Sequence, residues 1–283
     1  MTKSGPQRYP GASTTYWYQT KYGGDSMESN VLVWHTTEGM SVPTYNGGAE
    51  APNFTAVPDF AAKRLRWYQH FDFDTSARAL VNAAGGVETN TLNVCQIEIV
   101  GTCDPTTHKR WGGVPHLYTP ELPDWVVRDL AAFAKWAHEQ HGVPLTSDVT
   151  FKAYPGSYGA NGVRMSNAKW SGYRGHCGHQ HVPENDHGDP GAFPMAAILA
   201  AAKGDPAGST TDSSKELGMD AKQVHEAVWG RDAIPSPKTV STHKTNPTWK
   251  AESYLPEIID RLSRLTDKVD ALTEQVAELK KAS

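Results

Sequence analysis

An α/β fold followed by a helical coiled-coil tail is what this sequence predicts, and three features predict it. Short β-branched runs recur through the first part of the chain, and a helical apolar spacing interrupts them at 124–141. The C-terminal residues 256–281 then carry a heptad seam. At 283 residues the chain has room for one large domain and an appendage.

Residues 1–30 are polar and aromatic, without periodicity. NVLVWHTTEG (30–39) reads as a buried strand that opens into a loop just after His35. LRWYQHFDFD (65–74) alternates as a second strand, with Trp67, Gln69, Phe71 and Phe73 on one face and Tyr68, His70 and Asp72 on the other. LNVCQIEIVG (92–101) is a third strand, broken by Gly101. Residues 102–123 are rich in turn formers. Val126, Leu130, Phe133, Ala134 and Ala137 then recur at helical spacing, and Gly142 stops that helix. Residues 151–178, rich in Gly, Tyr and Ser, read as a long functional loop, and 194–204 as a short apolar helix that closes the domain.

The breaker-rich run 204–216 predicts a flexible linker, so the first domain spans 1–203 with its core at 28–203. Residues 217–253 suggest one short helix and an extended segment. Pro256 then opens a long helix whose apolar positions are Ile258, Leu262, Leu265, Val269, Leu272, Val276 and Leu279. Their alternating spacing of four and three is a heptad seam, which predicts a homo-oligomer joined through the coil. A single helix packed on a domain would show a wider stripe.

Composition narrows the function. The chain is 38% hydrophobic and 20% charged, as soluble globular proteins are. A net charge of −4 offers no basic field for nucleic acid. No apolar run is long enough to span a membrane, and residues 1–19 lack the apolar stretch of a signal peptide. The three cysteines make no disulfide framework; free thiols are expected, with a Cys95–Cys103 pair across a turn as the other reading. The nine Trp and eleven Tyr serve either an aromatic core or a groove in which rings stack on sugars.

The chemistry concentrates in GHCGHQHVPENDHGDPG (175–191), which holds four of the chain's twelve histidines. Imidazoles beside carboxylates are a common zinc shell. A catalytic zinc needs a third protein ligand and an open position for water. His35, at the end of the first strand, is the best placed candidate because the strand fixes its direction.

VLVWHTTEG followed at a distance by GHQHVPENDHGDPG resembles the type 2 N-acetylmuramoyl-L-alanine amidases, whose fold is shared with peptidoglycan recognition proteins and which include many bacteriophage endolysins. The resemblance covers about residues 28–203. It implies a mixed central β-sheet flanked by helices, one zinc ion per chain, and peptidoglycan as substrate. It also implies synthesis in the host cytoplasm and release to the cell wall through a holin. The family's metal ligands fall on His35, His179 and Asp189. His181 stays open as the alternative ligand, since family members differ in the interval between the distal histidine and the third ligand.

By the same resemblance His187, two residues before Asp189, would stabilise an oxyanion. Glu98 would handle protons; it points away from the face shared by Ile97 and Ile99, toward a cleft. His70 would line the groove. Two readings compete: a non-catalytic peptidoglycan-binding module of the same fold, and a virion structural protein built around the coil. The chain has no helical His-Glu-x-x-His pattern, which counts against a common class of zinc peptidase.

Overall fold

A computed structural model describes residues 5–90 and 93–204, together with 234–235, 248–249 and the helical residues 259–266, 268–269, 271–273 and 276. The chain divides into two compact units, residues 1–208 and 209–283.

The first unit is mixed α/β. Five strands, β1 (Val31–Thr36), β2 (Phe54–Asp59), β3 (Arg64–Gln69), β4 (Val94–Ile99) and β5 (Gly175–Gly178), form one sheet in the order β3-β2-β4-β1-β5. All neighbours run parallel except β2 and β3, which form an antiparallel pair. The long helix α3 (Asp124–His141) and the shorter α5 (Met195–Lys203) cover one face. The remaining helices are α1 (Gln19–Tyr22), α2 (Pro105–Trp111) and α4 (Asn167–Gly172).

Strand alternation divides the side chains between two cores. Leu32 and Trp34 of β1 join Phe54, Ala56, Cys95, Ile97 and Ile99 against α3 and α5. From α3 come Val126, Leu130, Phe133, Ala134 and Ala137, the residues whose 3.6-residue spacing makes the helix amphipathic. Fully burying a side chain such as Leu130 or Phe133 contributes roughly 1.5–3 kcal/mol. Gly142, at φ +70, turns the chain out of the helix in the left-handed conformation that glycine adopts without steric cost.

Val31 and Val33 point to the opposite face, where they pack with Val94, Leu80, Met165, Trp170, Tyr173, Cys177 and Val182. His35 continues that alternation at the end of β1, so it opens on the face not covered by the two helices.

Several expectations need correction. The second strand ends at Gln69 and not at residue 74. Beyond it, the N–H groups of Asp72 and Asp74 donate to the side chains of Gln19 and Gln7, so the N-terminal segment replaces a strand ladder there. The same segment seats Tyr9 against Trp67, Phe133 and Trp136, which explains why it has no periodicity of its own. The stretch after Gly101 contains a helix: Asp104 accepts from the N–H groups of Thr106 and Thr107, and Pro105 opens α2. Residues 151–178 are not one loop, since they contain α4 and β5.

The three cysteines are free and buried. Among the described residues no helix is long and apolar enough to cross a membrane. In the second unit, Ile234–Pro235 pairs antiparallel with Thr248–Trp249. Its helical residues carry Ile259, Leu262, Leu265, Val269, Leu272 and Val276, each at least 49% exposed. The seam positions Ile258 and Leu279 lie outside the described residues, as does the expected linker beyond Gly204.

Candidate metal centre

Three side chains from distant parts of the sequence converge where β1 ends. His35 Nδ1 lies 3.0 Å from His179 Nδ1, His179 Nδ1 lies 3.1 Å from Asp189 Oδ1, and His35 Nδ1 lies 3.6 Å from Asp189 Oδ2. All three residues are buried. The backbone makes this meeting possible. β5 ends at Gly178, a 3-10 turn follows over His179–His181, and the chain returns so that Asp189 Oδ2 accepts the N–H of Thr36, the residue after His35. Gly178 permits the return: a Cβ there would stand 2.5 Å from Pro190 Cδ.

The tautomer of His179 follows from Asn185. The amide of Asn185 is oriented by the backbone, because its Oδ1 accepts the N–H of Val81 while its Nδ2 donates to Val81 O and Pro183 O. The same Oδ1 is 3.0 Å from His179 Nε2, so Nε2 carries a proton and donates. Nδ1 therefore faces His35 Nδ1 and the carboxylate. Lone pairs so placed repel one another unless a proton or a metal cation lies between them.

The spacing suits a metal. Ligand bonds of about 2.0–2.1 Å in a tetrahedral shell put neighbouring donors roughly 3.3 Å apart, within the range seen here. The donor set of two imidazoles and one carboxylate also leaves a fourth position free, and these three residues are a group that can hold a metal ion.

Electrostatics favour positive charge at the cluster. Burial, and then the charge of His179, push the His35 imidazole well below its ordinary value. Burial opposes ionisation of Asp189. Positive charge here outweighs that and holds the carboxyl well below the usual range: a protonated His179 would supply it first, by its charge and a hydrogen bond, then the charges of His35 and His187, and a metal cation at the unprotonated Nδ1 would take the same place.

The four histidines of the distal motif serve four different purposes. His176 is fully buried in the helix-side core, where its Nδ1 accepts from Trp34 Nε1 and its pKa is lowered to about 3 by burial. His179 belongs to the cluster. His181, the alternative ligand, stays outside it: Nδ1 accepts the Gly178 N–H and Nε2 donates to Thr150 O, leaving neither nitrogen for a metal. His187 lies on the solvent side, 68% exposed, with its ring stacked on His179 at 4.6 Å. Its Nδ1 is 3.7 Å from Asp189 Oδ1, and Arg164 Nη2 donates to its carbonyl.

Glu98 is the neighbour of His35 across the β1–β4 pairing, and Thr55 is its neighbour on β2. One oxygen, Oε2, is buried without a hydrogen-bond partner in the protein. Burial, and then the charges of Asp189 and Glu38, push its carboxyl well above the ordinary range. A cation in the adjacent cluster would oppose the last two effects.

His70 does not reach the groove surface. It is fully buried, and its Nδ1 donates to Tyr16 O. Its Nε2 must then accept from Thr55 Oγ1, which in turn accepts from the hydroxyl of Tyr45. Burial lowers the His70 pKa to about 4, so the ring is neutral near pH 7. The sequence reading missed Tyr45, whose phenol is pushed far above its ordinary pKa by burial and then by the charge of Glu98. Its backbone adopts φ +50, a conformation that costs a bulky residue about 1–3 kcal/mol. Nothing in its turn-forming surroundings, Pro43 to Gly48, signals a side chain reaching toward the sheet.

No protein-family model matches the chain, and no curated protein matches it.

Proposed function

We propose that the protein is a zinc-dependent N-acetylmuramoyl-L-alanine amidase that hydrolyses bacterial peptidoglycan, with the fold of the type 2 amidases and the role of a bacteriophage endolysin. The observation that carries this reading is the convergence of His35, His179 and Asp189 beside Glu98. The two sequence motifs that resemble the amidases contain the three cluster residues, and Glu98 lies between them in CQIEIVG (95–101).

Zinc bound by these three ligands would polarise the scissile carbonyl and lower the pKa of a coordinated water from 15.7 to roughly 7. Glu98 takes the proton of the attacking water and delivers it to the departing amine. The water oxygen becomes part of the new lactyl carboxylate, the amide C–N bond breaks, and L-alanine leaves with a free amino group. His187, on the solvent side of the cluster, stabilises the negative charge that develops on the carbonyl oxygen. Asn185 and the Thr36 N–H hold His179 and Asp189 in place throughout. The exposed Val and Leu positions of the second unit support self-association through the coil, which would bring several catalytic domains to one polymeric substrate.

Turbidity loss of purified peptidoglycan tests the reading. Activity should vanish when a strong chelator strips the protein and return on addition of one equivalent of zinc. Undiminished activity in chelator would reject the metal mechanism.

A further inference from the structure

The loop at residues 80–90 rests on the same two residues that follow the metal motif's turn. Glu184 accepts two of its backbone N–H groups, Ala83 to Oε2 at 2.8 Å and Val87 to Oε1 at 2.6 Å. Asn185 makes a two-way contact with Val81, accepting its N–H at 2.9 Å and donating to its carbonyl at 3.2 Å. The loop is also closed on itself, since Asn82 Oδ1 accepts the N–H groups of Thr89 and Asn90.

Two features show that this docking is built in. Glu184 holds φ +66, a strained conformation for a residue with a Cβ, and that conformation accompanies the carboxylate's place under the loop. Gly86 lies so close that a Cβ there would stand 1.8 Å from Glu184 Oε1. Any larger residue must displace either the loop or the carboxylate that holds it.

Building on the metal-site reading above, we infer that Asn185 couples the 80–90 loop to the metal centre, so that loop docking and metal affinity depend on each other. The coupling passes through one atom. Asn185 Oδ1 receives both the Val81 N–H and the His179 Nε2–H. With the loop docked, Val81 fixes the amide's orientation, and the amide keeps His179 Nδ1 free for the metal. With the loop undocked, the amide loses both contacts with Val81 and keeps only the bond to Pro183 O, so it is freer to turn its NH₂ toward His179. That orientation opposes the tautomer needed for ligation. Linkage is reciprocal, so a metal that requires this tautomer also favours the docked loop. Asn185 acts through His179 and is a positioning residue.

The test uses the full chain and two readouts other than hydrolysis. Zinc affinity is measured by competition with a chromogenic chelator. Hydrogen exchange of the peptide covering 80–90 is followed by mass spectrometry with and without zinc. In the wild type, zinc should slow exchange in that peptide. Asn185→Ala should weaken zinc binding by about 10- to 100-fold, the usual effect of removing a partner behind a metal ligand, and should abolish the zinc effect on exchange. Gly86→Ala, which leaves both Asn185 and His179 in place, should speed exchange and weaken zinc by about 5-fold or more.

An Asn185→Ala protein that fails to fold leaves Gly86→Ala to decide. Zinc affinity within twofold of wild type in Gly86→Ala, despite faster exchange, overturns the coupling. So does a folded Asn185→Ala protein that binds zinc as wild type does. A wild-type protein that binds no zinc overturns the metal-site reading itself.

Discussion

Glu98 stands level with His35, one strand over in the parallel β1–β4 pair and on the same face of the sheet. Neighbouring strands lie about 4.8 Å apart, so the ladder itself spaces the Glu98 carboxylate from the His35 imidazole. Neither residue depends on a loop for its direction. The other two residues of the cluster, His179 and Asp189, are brought to this fixed edge by the returning distal motif.

Removing a ligand should empty the site. His35→Ala, His179→Ala and Asp189→Ala are each expected to lose bound zinc, measured by elemental analysis, and to lose hydrolysis. His181→Ala should retain zinc, because both its nitrogens bond the backbone. It should instead destabilise the fold by about 1–3 kcal/mol through the buried groups left unpaired, read by thermal or denaturant unfolding. Zinc loss in His181→Ala with retention in His179→Ala would reverse the assignment.

Glu98→Gln should keep the metal and the fold while lowering turnover by about 10²- to 10⁴-fold, the usual share of a general acid–base. The variant keeps the shape of the side chain and removes its ability to carry the proton. Near-normal turnover would show that Glu98 is only a strand carboxylate.

His187→Ala should also retain one zinc per chain. Its side chain reaches Asp189 only at 3.7 Å and lies largely in solvent, so its removal should leave the metal in place. A fall in kcat with unchanged zinc content is expected. An empty site in this variant would make His187 a ligand.

Away from the site, Asp74 and His141 form a fully buried pair at 3.1 Å. Burial opposes ionisation of Asp74, but hydrogen bonds from His141, Gln7 and the Ser29 N–H prevail and depress its pKa. A depressed carboxyl contributes stability that is complete above its unfolded value, about 3.9. That stability is lost as pH falls through the folded value. Asp74→Asn should therefore destabilise the fold at neutral pH, by about 1–3 kcal/mol for the buried hydrogen-bond partners it leaves mismatched, and flatten the acid side of the stability profile. Unfolding curves from pH 7 down to pH 2 check this. A variant with the wild-type acid slope would contradict it.

Much of this was legible in the sequence, and what was missed had physical reasons. His35 could be placed because a β-branched run ends at it, and α3 because its apolar residues keep a helical period through to a stop at Gly142. β2 was missed because Pro58 reads as a breaker; it is accommodated in the antiparallel pairing opposite Leu65. β5 was missed because a four-residue strand with glycine at both ends has no pattern to detect. Tyr45 and Asn185 escaped for another reason: their roles arise from contacts with Thr55, Val81 and His179, which only the fold brings together.

The tail gives a prediction about assembly. An isolated helix of this length is marginal in water, and association would cover the apolar positions now exposed from Leu262 to Val276. Residues 1–203 alone should be monomeric and still cleave purified peptidoglycan, whereas the full chain should be multimeric. Light scattering on both decides it. A full-length protein that is monomeric at micromolar concentration would rule out the coil.

The most direct test of the amidase reading is mass spectrometry of the products released from purified peptidoglycan. Digestion should yield stem peptides that begin with a free L-alanine amine, with glycan strands whose muramic acid lactyl groups are free carboxylates. The Asp189→Ala protein should release neither. New reducing sugar ends, or cleavage within the stem peptide while the lactyl–alanine bond stays intact, would contradict the account.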